Sequence, residues 1–97
     1  MTPSADDAFE RLEKLISNAA EPFDMLHVAA RRLVLRATKS APASHLLSIA
    51  IDEFHAELQY MTLCIEMYGR DQVNLAAHQK NCRAAARVLR ELSPRQQ

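Results

Sequence analysis

Apolar residues return every three or four positions along nearly the whole chain, and that rhythm predicts helices throughout. Phe9, Leu12, Ile16 and Ala19, flanked by Ala8 and Leu15, mark the inner face of a first helix over about residues 5–19. Ser4 followed by Asp7 reads as its capping box. Pro22 suits the first turn of a second helix, where a missing N–H goes unfelt. Phe23, Leu26, Ala30, Leu33 and Ala37 carry that helix to about residue 39. Ser40, Pro42 and Ser44 then act as turn or cap residues in a loop. A third helix spans about 43–68, with Gly69 at its end, where a positive φ is wanted. Asp71 reads as the cap of a fourth helix over about 71–92, whose seam is Leu75, His78, Cys82, Ala85, Leu89 and Leu92. Ser93-Pro94 ends it.

The third helix carries two apolar stripes where a small monomer needs one. Leu47, Ile51, Phe54, Leu58, Met61, Ile65 and Tyr68 step 4-3-4-3-4-3 and predict core. Ile49, Ala56, Tyr60, Leu63 and Met67 lie on another side, with Glu53 and Glu57 between the two sets. Either the first helix covers this second stripe inside the monomer, or a partner covers it. The two glutamates favour a partner, because carboxylates sit at an interface rim more readily than inside a sealed bundle.

The expected fold class is all-α: one compact four-helix bundle-like domain over residues 1–97, with a long central third helix. Spacing near 3.5 residues favours helices packed close to +20°. Alanine-rich seams let helices approach closely but bury little area, so the domain gains from dimerisation. If residues 69 and 70 make a tight turn, the third and fourth helices pair antiparallel where residue numbers sum to about 140.

Composition narrows the function classes. Apolar residues make up 48% and charged residues 25%, the balance of a globular chain rather than a disordered one. A single glycine, Gly69, excludes the glycine-rich loops that cradle phosphates or dinucleotides. No stretch approaches the ~20 apolar residues that span a bilayer. The segment Met1-Thr2-Pro3-Ser4-Ala5-Asp6-Asp7 is acidic where a signal peptide is basic, so a cytoplasmic location is expected, with both cysteines reduced.

Net charge is zero but segregated: −3 over residues 1–21, +3 over 22–43, −4 over 44–68 and +4 over 69–97. Acidic and basic helices lying side by side are the simplest use of this alternation. Arg32, Arg36 and Lys39 on the second helix, and Lys80, Arg83, Arg87 and Arg90 on the fourth, nonetheless form stripes able to follow a phosphate backbone or an acidic partner. No aromatic residues interleave them for base stacking.

Candidate chemistry is sparse. Asp52 and His55 form a D-x-x-H pair beside Ser48, Gln59, Thr62 and Glu66 on the polar side of the third helix, without the second half that a di-iron bundle requires. His27, Cys64, His78 and Cys82 are the conceivable zinc ligands, but their spacing matches no strong zinc pattern. Cys82 reads instead as a core filler and His78 as a boundary histidine. An axial offset of roughly 9 Å between Cys64 and Cys82 argues against a disulfide. His27 lacks the lysine and glycine that follow a phosphotransfer histidine, and no serine sits in a nucleophile elbow. No catalytic residue and no cofactor is expected.

Arg31-Arg32-Leu33-Val34, and Glu53-Phe54-His55-Ala56 leading to Ile65 and Gly69, resemble segments of the small helical antiactivators of plasmid quorum sensing. That resemblance covers about a quarter of the chain and implies dimerisation through long helices and sequestration of a transcription activator. The link between the two segments is shorter here and the fourth helix is additional, so no functional residue is carried over.

The expectation is therefore a non-enzymatic protein that works through protein–protein interaction as a regulator, adaptor or chaperone-like subunit, and as a homodimer. Ile49, Ala56, Tyr60, Leu63 and Met67 are its expected contacts. A nucleic-acid-binding regulator using the basic stripes is the alternative, and a metal-binding bundle a more distant one.

Overall fold

A serine and a glycine set the limits of the longest helix. In a computed structural model describing residues 5–18, 23–39, 41, 44–69 and 73–93, α3 runs His45–Tyr68. Ser44, extended at φ −144° and ψ 154°, accepts the Leu47 N–H on its hydroxyl at 3.0 Å. The helix therefore begins two residues later than the expected residue 43. Gly69 stops it at φ +82°, with its N–H donating to the Ile65 carbonyl at 2.8 Å.

The other helices are α1 (Ala5–Asn18), α2 (Phe23–Thr38) and α4 (Asn74–Leu92). At the end of α2 the Thr38 hydroxyl donates back to the Val34 carbonyl at 2.8 Å, and the Ala41 N–H donates to Thr38 at 3.1 Å. These bonds finish the helix with one more turn. α4 starts at Asn74, later than the expected residue 71, after Val73 in helical conformation and with no side-chain cap bond. The expected caps Ser4 and Asp71, the core position Ala19, the side chain of Phe23, and Pro22, Ser40, Pro42 and Pro94 lie outside the described residues and side chains.

The helices form a ring in chain order. α1 packs on α2 and α4, and α3 packs on α2 and α4, with the α3–α4 pair sharing the largest interface. The thin dimension of 18 Å is about two helix diameters, so the bundle is two layers thick. No strand occurs among the described residues. The all-α bundle read from the sequence is the fold observed.

Phe54, Leu58 and Met61 of α3 fill the centre against Leu12, Ile16, Leu26, Val34, Cys82 and Leu89, all fully buried. Several seam positions differ from expectation. Val34 is buried where Leu33 was expected, and Ala86 where Ala85 was, with Leu33 and Ala85 half-buried. A straight α-helix drifts about 20° per heptad from a 3.5-residue repeat, so a seam drawn at that spacing slides off the core. Thr62, read as part of the polar side, is fully buried; its hydroxyl donates to the Leu58 carbonyl at 2.9 Å and the Gln59 carbonyl at 3.1 Å. Tyr68 and Leu92, read as seam residues, are exposed at the ends of their helices.

Candidate interaction surface

α3 turns the second apolar stripe away from the core. Ile49, Tyr60, Leu63 and Met67 are 42%, 57%, 37% and 68% exposed, and Ala56 is exposed with them. The five positions share one face at 100° per residue, roughly opposite Phe54 and Leu58. Among the described residues α1 packs on α2 and α4 rather than over this stripe, while Ala56 and Leu63 border α2. α3 supplies carboxylates on both sides, Asp52 and Glu66 towards one edge and Glu53 and Glu57 towards the other, and contains no Lys or Arg; Arg31 of α2 stands beside Asp52 at the first edge. Glu53, Glu57 and Glu66 form no ion pair among the described residues.

The two basic stripes lie on opposite sides of α1. Arg83 and Arg87 of α4 border the α1–α4 groove, where Arg83 donates to the Ser17 hydroxyl at 3.3 Å and Arg87 meets Glu13 at 3.3 Å. Gln79 donates to the Ile16 and Ser17 carbonyls at 3.0 Å each, capping the end of α1. Charge alternation is thus used internally between α1 and α4. Arg32 and Arg36 of α2 line a different groove, between α1 and α2, together with Arg11 and Lys14. Lys39 and Lys80 are exposed, and Arg90 is half-buried.

The conceivable zinc ligands do not converge. Among the described residues no three His, Cys, Asp or Glu side chains come together closely enough to hold a metal ion. Both cysteines are buried, and they are not joined in a disulfide. Burial, then the Glu57 carboxylate, pushes the Cys82 thiol up to about 12, with Arg83 opposing. A thiol held protonated in this way is a core filler and not a nucleophile.

One grouping was not legible beforehand. His27 and Arg31 of α2 meet Asp52 and His55 of α3 in a shallow pocket that continues over Ala56 and Leu63. Burial and the Arg31 charge hold His55 below its ordinary value; Asp52 pulls the other way and His27 adds a smaller push downwards. Helical spacing paired Asp52 with His55, but the α2 contribution depends on how α2 and α3 pack. No signal in the sequence specified that packing.

No family model, curated protein or solved structure matches this chain. Among the described residues no helix is long and apolar enough to cross a membrane.

Proposed function

We propose that this chain is a non-enzymatic, cytoplasmic protein whose work is association. The outer face of α3 is its contact surface, and a second copy of the chain is the partner in the first instance. One observation carries the reading: five apolar side chains at coiled-coil spacing stand exposed on the longest helix, beside the carboxylates of Glu53 and Glu57. Ile49, Ala56 and Leu63 recur every seven residues, as do Tyr60 and Met67, so the stripe is a seam of the kind that packs against another helix. Tyrosine and methionine suit that role, being enriched at interfaces and adaptable in packing. A small alanine-rich core gains stability from such contact.

The nucleic-acid alternative draws no comparable support. Arg83 and Arg87 already engage α1, and α1 separates them from Arg32 and Arg36. Substituting Leu63→Asp tests the favoured reading. The variant is expected to keep its helical signal and melting profile while losing self-association in light scattering. Retained self-association, or a monomeric parent protein, contradicts it.

A further inference from the structure

We infer that the surface receiving the outer face of α3 is the groove between α1 and α2 of a second copy. The inference rests on the association reading above and adds the identity of the docking surface. Leu15, Ala29 and Leu33 floor this groove, Arg11, Lys14, Arg32 and Arg36 rim it, and no carboxylate among the described residues lines it. Arg11 is paired with Asp7 at 3.2 Å, whereas Lys14, Arg32 and Arg36 have no ion pair among the described residues. An apolar floor inside a cationic rim is the chemical converse of the Glu53–Glu57 side of the α3 face, where an apolar stripe runs beside two carboxylates.

Spacing agrees with charge. Arg32 and Arg36 stand four residues apart on α2, and Glu53 and Glu57 four residues apart on α3, so each pair spans about 6 Å along its helix. The groove, of about 490 Å³, has room for a few large side chains rather than a whole helix. α3 therefore lies along it, with Ala56 and Tyr60 against the floor and the glutamates over the arginines. Packing α3 against α3 of another copy offers no such match, because it brings two acidic flanks together without a base on either helix. The resulting contact is heterologous, joining different surfaces of the two copies, and it can extend beyond a pair or close into a ring.

Sedimentation velocity of the full chain over a concentration series tests this. The variants are Arg32→Glu/Arg36→Glu, Glu53→Lys/Glu57→Lys, and all four substitutions together. Each double variant is expected to weaken association by roughly tenfold or more while circular dichroism stays unchanged, and the quadruple variant to recover it. Association of the parent chain is expected to weaken with added salt. Association that withstands Arg32→Glu/Arg36→Glu but is lost in Leu63→Asp overturns the groove while leaving the α3 surface standing. A parent chain that stays monomeric to millimolar concentration overturns both.

Discussion

Cys82 is where burial acts most clearly on a single ionisable group. In the unfolded chain its thiol titrates near 9.0, and in the fold it is pushed up to about 12. Above pH 9 the unfolded state releases a proton that the folded state retains, so stability present below pH 9 is lost progressively between pH 9 and 12. Urea midpoints measured across that range are expected to fall more steeply for the parent than for Cys82→Ala. His55 works in the opposite direction. Its folded value lies below the ordinary 6.5, so it contributes stability above pH 6.5 that is lost as the pH falls below it. Removing the neighbouring cation in Arg31→Ala is expected to move the His55 titration, followed by its ring proton resonances, upwards towards 6.5.

At the scale of the helix, the ends are more sensitive than their exposure suggests. Gly69 has nothing within 4 Å of where a Cβ would stand, yet its φ of +82° with ψ near 180° is a conformation open essentially to glycine alone. Gly69→Ala is therefore expected to cost about 1–3 kcal/mol in chemical denaturation through backbone strain, without any clash. Ser44→Ala removes the only side-chain cap bond described for α3 and is expected to cost about 1 kcal/mol in the same assay. Gly69 marked the far end of α3 in the sequence, whereas Ser44 was legible as a turn or cap residue but the helix was expected from residue 43, two residues before its start. The start of α4 was not, because Val73 precedes it with no side-chain cap bond and leaves no polar signature. Likewise, periodicity located Phe54, Leu58 and Met61 in the core, but it exchanged Val34 for Leu33 and Ala86 for Ala85. A 3.5-residue template and a 3.6-residue helix disagree by those single steps, and only contact with the neighbouring helices settles which side faces inward.

For the molecule as a whole, zero net charge conceals two different uses of charge. Between α4 and α1 the alternation is consumed internally, in Arg87–Glu13 and the contacts to Ser17. On the outer face of α3 and in the α1–α2 groove it stays turned outward with opposite signs on the two surfaces. The apolar stripe on α3 was visible from spacing alone, and so was the choice between helix and partner as its cover. The groove was not, because its rim combines Arg11 and Lys14 with Arg32 and Arg36, which only the packing of α1 on α2 brings together. The central claim is that the outer face of α3 is a contact surface, and light scattering of the parent and of Leu63→Asp tests it most directly. The parent is expected to exceed the monomer mass with rising concentration, and Leu63→Asp to hold the monomer mass with an unchanged helical spectrum. A parent that stays at the monomer mass, or a variant that associates as the parent does, contradicts the claim.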